Sequence, residues 1–199
     1  MYAAKSPIVN VVINEIGDGK VIKFNRVWTM PNGDTLQMEP VLNFVKSYIQ
    51  PNIIIIDPFA RDCMLATYRN DLNPDTKAEF HMEVMDFLRM LGNKNISADL
   101  IIFDPPYSSR QMSELYKSVG MEFGINGGQR FGWKEERNLL NNLVKVGGIV
   151  ISFGWNSIGM GIKRLYKLEE ILLVCHGGAH NDTICIAERK TAHQERLEI

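Results

Sequence analysis

An α/β fold with a mostly parallel central sheet and a C-terminal antiparallel strand pair is the class this sequence predicts, and three observations predict it. Ile53-Ile54-Ile55-Ile56 and Leu100-Ile101-Ile102-Phe103 are unbroken apolar runs, each closed by Asp-Pro. Strands buried on both faces of a parallel sheet read this way, whereas half-exposed strands alternate. Ile149-Val150-Ile151-Ser152-Phe153 is a third such run, preceded by an expected helix from about Lys134 to Val144 and the stop signal Gly147-Gly148. Leu168 to Cys175 and Thr183 to Glu188, joined by His176-Gly177-Gly178-Ala179-His180-Asn181-Asp182, supply the antiparallel pair.

The earlier elements follow from the same reading. Ile8 to Ile13 and Lys20 to Phe24 read as short strands around the turn Gly17-Asp18-Gly19. Arg26 to Gly33 is rich in turn residues and feeds a helix expected from Glu39 to Tyr48. Residues 1–50 thus form an N-terminal hairpin and loop-helix segment. The Ile53 to Ile56 strand should turn at Asp57-Pro58-Phe59-Ala60-Arg61-Asp62-Cys63, at the switch point where open α/β sheets bind ligands. Tyr68 to Pro74 reads as the end of the next strand. After the Leu100 to Phe103 run and the turn that follows it, Ser108 to Trp133 interleaves Arg and Lys with aromatics. It reads as a substrate-facing loop, or alternatively as a helix from Gln111 to Val119 followed by a connector. Arg189 to Ile199 reads as a charged, frayed tail.

Composition narrows the class. With 199 residues, 45% of them apolar, the chain can bury one α/β core, so residues 1–199 are expected to form a single domain. The net charge is −1 and the pI about 6.4, which excludes the global basic signature of a nucleic-acid binder and leaves such a surface to a local patch. The three cysteines, Cys63, Cys175 and Cys185, suit neither a disulfide framework nor a metal-ligand spacing, and a reducing, cytoplasmic home is expected. No apolar run approaches the ~18 residues of a membrane span, and no signal-peptide pattern opens the chain. His176 and His180 lack a third partner, so no metal is expected.

The most informative stretch is Asp104-Pro105-Pro106-Tyr107. Two prolines lock φ and remove two backbone donors, which leaves the Asp104 carboxylate and the Pro105 carbonyl as bare acceptors beside the flat Tyr107 ring. Acceptors next to a stacking face suit a planar group bearing an exocyclic –NH2, as a nucleobase does.

Asp-Pro-Pro-Tyr after an apolar strand resembles the catalytic motif of the S-adenosylmethionine (SAM)-dependent amino-methyltransferases, which methylate adenine N6 or cytosine N4. Asp57-Pro58-Phe59-Ala60, behind the Ile53 to Ile56 run, looks like the same family's cofactor loop, and the two motifs in this order are more specific than either alone. The resemblance implies a Rossmann-like methyltransferase fold, SAM as cofactor, and Asp104, Pro105, Pro106 and Tyr107 as the catalytic turn. For SAM it implies Asp57, Pro58, Phe59, Ala60 and Arg61, the last paired with the cofactor carboxylate where the family has glycines. Asp71 would take the ribose hydroxyls or else serve as a turn cap. The stretch from Glu79 to Leu88 resembles the family's third strand, with Glu83 at the acidic position facing the adenine and Asp86 as its competitor. Thr29 and Met30 correspond to residues at the methionine end of SAM, with core packing of Trp28 and Met30 as the other reading.

The expected reaction is direct in-line transfer to an amine whose hydrogens Asp104 and Pro105 accept, with no covalent intermediate. In duplex DNA the base must flip out and rest against Tyr107. Arg110, Lys117, Arg130 and Trp133 are the expected nucleic-acid contacts, and Trp155 either walls the base pocket or packs in the core. The motif form leans to adenine in DNA, as in small phage-like members without a separate recognition domain. RNA is the alternative substrate, a SAM-free binding module the alternative class, and a homodimer one source of the missing specificity.

Overall fold

The computed structural model describes residues 9–13, 22–122 and 132–192. Their backbone forms an eight-stranded sheet in the order β1-β2-β7-β8-β6-β5-β3-β4. The strands are β1 (Val9–Ile13), β2 (Ile22–Trp28), β3 (Ile55–Asp57), β4 (Tyr68–Arg69), β5 (Ala98–Phe103), β6 (Val144–Gly154), β7 (Tyr166–Cys175) and β8 (Thr183–Lys190). The pairings set six of them in one direction; β1 and β8 run against the rest. This is the mostly parallel α/β sheet that the apolar runs predict, with β7 and β8 as the antiparallel pair.

Helices cover both faces. On one, α1 (Glu39–Lys46) buries Val41, Phe44 and Val45 against Leu100, Ile102, Ile151, Val174 and Ala187. On the other, α2 (Val84–Asn93) and α4 (Lys134–Leu143) bury Phe87, Leu88, Leu91 and Leu140 against Ile56, Ile101, Phe103 and Val150, and α3 (Ser109–Ser118) adds Met112. Alternate residues from Leu100 to Phe103 of β5 therefore feed two separate cores, which is why all four are apolar. No helix of the described residues is long and apolar enough to cross a membrane.

Four sequence expectations need correction. Glu79 to Leu88 is not a strand: a single parallel bridge, Asn70 to Phe80, precedes α2. Val84, Phe87, Leu88 and Leu91 recur at helical spacing, and the connection from Pro74 is too short for a crossover that would return a full strand. Ser108 to Trp133 is not loop throughout. Ser108 and Gln111 form a reciprocal capping box that starts α3. The helix expected from about Lys134 to Val144 is present as Lys134–Leu143, but Gly147-Gly148 does not stop it: β6 begins at once with Val144 paired to Ala98 and contains both glycines. Arg189 and Lys190 belong to β8, where buried Lys190 donates to the carbonyls of Asn141 and Val144 at the end of α4. The turn Gly17-Asp18-Gly19 and Arg130 lie outside the described residues.

The loop from Trp155 to Gly161 is held by a buried carboxylate of the interior strand β8: Glu188 accepts the N–H of Met160 at 2.6 Å and of Gly161 at 2.9 Å. A Cβ on Gly159 would fall 1.9 Å from Glu188 Oε2. Gly159→Ala is expected to lower stability by about 1–3 kcal/mol, read as a lower urea midpoint; an unchanged midpoint would show that the loop is not held this way.

Candidate active site

Parallel register brings the two acidic tips together. Ile55 pairs with Leu100 and Ile56 with Ile101, so Asp57 and Asp104 leave the sheet at the same edge from adjacent strands, which lie about 4.8 Å apart. Phe103 pairs with Ser152, which puts the end of β6 and Trp155 at that edge too. Asp57 is 1% exposed. Its Oδ1 accepts the Phe59 N–H at 3.0 Å, and its Oδ2 has no partner among the described residues. Burial pushes its carboxyl well above the usual range, and the charges of Asp104, Asp71 and Asp34 add to the effect.

The turn after Asp57 works without the expected glycines. Arg61 itself adopts a left-handed φ of 47°, a conformation that costs a side-chain-bearing residue about 1–2 kcal/mol. Hydrogen bonds offset this: Ala60 N–H donates to the Asn70 carbonyl at 2.8 Å, and Arg61 N–H donates to Asp71 Oδ2 at 3.1 Å. Asp71 also accepts the Asn73 N–H at 2.9 Å, so it caps turns on both sides while facing the cavity described below. Buried Asn70 joins the pieces, donating to the carbonyls of Pro58 at 3.2 Å and Met82 at 3.0 Å and accepting the Met82 N–H at 3.2 Å. No spacing in the sequence marks Asn70; its role exists only because β4 and the bridge at Phe80 flank the same loop.

A narrow cavity of about 30 Å³ opens beside this turn, lined by Pro58, Phe59, Asp71, Glu83, Tyr116 and Trp133, with buried Glu136 on its wall. Glu83 precedes α2 and accepts the Tyr116 hydroxyl at 2.8 Å. Asp86 does not reach this cavity: it is 62% exposed and pairs with Arg89 at 3.2 Å. Of the two acidic candidates only Glu83 is at the site. A wider cavity of about 860 Å³ lies at the opposite edge of the sheet, near Tyr48, Asp99, Lys145 and Arg189, away from Asp57 and Asp104. Its carboxylates are already matched, Asp99 by Lys145 at 2.7 Å, Glu169 by Arg189 at 2.5 Å and Glu170 by the Tyr48 hydroxyl at 2.9 Å.

The Asp-Pro-Pro-Tyr turn is anchored at both ends. Tyr107 N–H and Ser108 N–H both donate to Gln111 Oε1, at 2.6 and 3.1 Å, which ties the two prolines to the first turn of α3. The Tyr107 hydroxyl donates to Asp104 Oδ1 and lies 3.3 Å from Thr35 Oγ1. Burial pushes the Asp104 carboxyl up to about 6, held back by the hydroxyls of Tyr107 and Thr35. The Tyr107 ring meets Trp155 edge to face at 5.7 Å, and Trp155 is 43% exposed, so Trp155 stands at the rim rather than in the core. Sequence reasoning missed Thr35, which carries no motif and gains its place from the 3-10 turn Thr35–Gln37.

The remaining candidates fall elsewhere. Thr29 and Met30 follow β2, five strands from β3, about 24 Å across the sheet. Thr29 N–H donates to the Cys175 carbonyl at 3.1 Å, its own carbonyl accepts His176 Nδ1–H at 2.9 Å, and Met30 is exposed. The part of that segment that does reach the site is Gly33 to Thr35, since the Arg61 guanidinium donates to the Gly33 carbonyl. Trp133 is buried against Phe59 at 5.3 Å and Phe103 at 6.3 Å, a cavity wall and not a surface platform. Arg110 is exposed and pairs with Glu114 at 2.7 Å, and Lys117 is exposed on the same helix. Among the described residues no group of three His, Cys, Asp or Glu is placed to hold a metal ion.

Two solved structures share this architecture. SMU.776, assigned as a methyltransferase and complexed with SAH, superposes with a TM-score of 0.52 at 11% identity over 95% of this chain and 57% of its own. A structure from Streptococcus mutans assigned as a SAM-dependent methyltransferase gives 0.50 at 11% identity over 94% and 56%. At such identity the likeness is one of fold, the Rossmann-like methyltransferase fold, and this chain spans just over half the length of either. No family model matches the chain, and no curated relative does.

Asp104 sets a sign for pH. Its carboxyl rises from 3.8 to about 6 on folding, so between those values the folded state holds the proton more tightly, and its contribution to stability is lost as pH climbs through 6. Asp104→Asn removes this loss. The variant should gain about 1–3 kcal/mol on the parent between pH 4 and 7, measured by urea unfolding at several pH values; a pH-independent difference would refute the burial of that carboxyl.

Proposed function

We propose that this chain is a SAM-dependent methyltransferase that acts on the exocyclic amine of a nucleic-acid base, with adenine N6 in DNA as its target. The observation that carries the reading is the pair of carboxylates on adjacent parallel tips, Asp57 with an unpartnered buried oxygen and Asp104 at the head of Asp-Pro-Pro-Tyr.

The residues fit the cofactor. Asp34, Asp57 and Asp104 line the edge with carboxyl groups, whose charged forms, disfavoured by burial, a ligand with a sulfonium and an ammonium group would stabilise. We assign Asp71 to the ribose hydroxyls and the Phe59–Glu83 side of this edge to the adenine ring, for which the narrow cavity of about 30 Å³ there must widen. When bound, SAM supplies an electrophilic methyl group.

The chain's own part is to prepare the amine. The lone pair of an aromatic amine is delocalised into the ring, so it attacks poorly until its hydrogens are drawn off-plane. Asp104 and the Pro105 carbonyl accept those hydrogens from a fixed turn, so little reorganisation accompanies the reaction. The Tyr107 ring and Trp155 bound the space where the base would lie. DNA is favoured over RNA on the form of the motif alone.

The deciding experiment incubates the protein with labelled SAM and a panel of duplex DNA, single-stranded DNA and RNA, followed by nucleoside analysis. N6-methyladenine in DNA is expected; label in RNA would move the substrate to RNA, and no SAM binding by calorimetry would sink the enzyme reading. Asp104→Ala should abolish transfer, by at least about 100-fold, while SAM binding survives. Asp71→Ala should weaken SAM binding about tenfold in the same titration, and an unchanged affinity would count against the ribose role.

A further inference from the structure

Asp104 Oδ1 accepts a hydrogen bond from the Tyr107 hydroxyl, so a substrate amine reaching for that oxygen competes with the tyrosine for it. Moving the whole Tyr107 side chain is opposed by its surroundings: its ring contacts Trp155, packs against the α1-side core, and its backbone N–H is tied to Gln111. A small displacement of the hydroxyl alone has a ready acceptor, because Thr35 Oγ1 is 3.3 Å away. Thr35 is itself well held. Its carbonyl accepts the Met38 N–H at 3.2 Å, the neighbouring Leu36 is buried, and Arg61 grips Gly33 two residues before.

We propose that Thr35 is a positioning residue of the transfer site: its hydroxyl takes over the Tyr107 hydroxyl when a substrate amine occupies the Asp104 carboxylate, which keeps the Tyr107 ring beside the base. The inference rests on the methyltransferase reading above and adds a residue outside both motifs. The exchange is one of hydrogen bonds only. The Tyr107 proton turns from Asp104 Oδ1 to Thr35 Oγ1, and the freed carboxylate oxygen accepts the amine hydrogen. Asp104 thereby keeps a donor throughout, so a desolvated carboxylate is never left bare. The other groups facing Asp104 are the charges of Asp34, Asp57 and Arg61 and the buried Cys185 thiol of β8. None of them offers the Tyr107 hydroxyl a recorded hydrogen bond.

The test uses the full chain with Thr35→Val, Thr35→Ser, Tyr107→Phe and the double substitution Thr35→Val/Tyr107→Phe. Transfer from labelled SAM to the nucleic acid that the parent methylates is resolved into kcat and KM. Thr35→Val is expected to lower kcat about tenfold with KM within about twofold, Thr35→Ser to restore most of it, and Thr35→Val to cost nothing further on the Tyr107→Phe background. A parental kcat in Thr35→Val, or its full loss repeated in the double variant, overturns the proposal. Carbon-13 titration of the Asp104 carboxyl gives a second readout that needs no substrate: losing either hydroxyl should move its midpoint upward, and an unmoved midpoint in Thr35→Val overturns the link as well. A parent chain that methylates no nucleic acid would instead overturn the methyltransferase reading, a result visible before any substitution is made.

Discussion

The parallel pairing of β3 with β5 is the constraint on which the rest of the molecule depends. Ile55, Ile56, Leu100 and Ile101 are all buried, and their register leaves no freedom in where the next residues emerge. A slip of one residue would exchange the two cores, since β5 packs Leu100 and Ile102 on one face and Ile101 and Phe103 on the other. The same register that fills both cores also brings two carboxylates to one desolvated edge. Their raised proton affinities are a consequence of that placement, because burial disfavours the charged forms by more than the hydrogen bonds from Phe59, Tyr107 and Thr35 offset.

Side chains do the work of glycine around this edge. A glycine-rich turn approaches a ligand by having no Cβ; here Ala60 and Arg61 occupy those positions, and the turn is shaped by Asp71, Asn70 and the left-handed Arg61. The arrangement ties three segments to one another. Arg61 reaches back to Gly33, Asn70 reaches forward to Met82, and Tyr107 lies between Asp104 and Thr35. Loops tied this way hold one another in place, so a change in any one member is transmitted to the others.

The sheet is pared down where it meets the adenine side of the proposed site. Beyond β4, only the bridge between Asn70 and Phe80 continues it, and α2 begins four residues later. Glu83 consequently leads a helix instead of ending a strand, yet it still faces the cavity through Tyr116 of α3. At the other end the sheet is extended, with β2 added parallel to β7 and β1 beyond it. That extension carries Thr29 and Met30 away from the acidic edge and delivers Thr35 to it.

By itself the sequence determined the features that rest on local pattern. The apolar runs before Asp57 and Asp104 specify buried parallel strands, and Asp-Pro-Pro-Tyr specifies a rigid turn, because burial period and proline geometry act within a few residues. Only the tertiary structure decided between Glu83 and Asp86, turned Trp133 inward, and replaced Thr29 and Met30 by Thr35. Each of those outcomes depends on which segments lie side by side across the sheet. Contacts between residues as distant in the chain as Thr35 and Tyr107 leave no trace in spacing or composition.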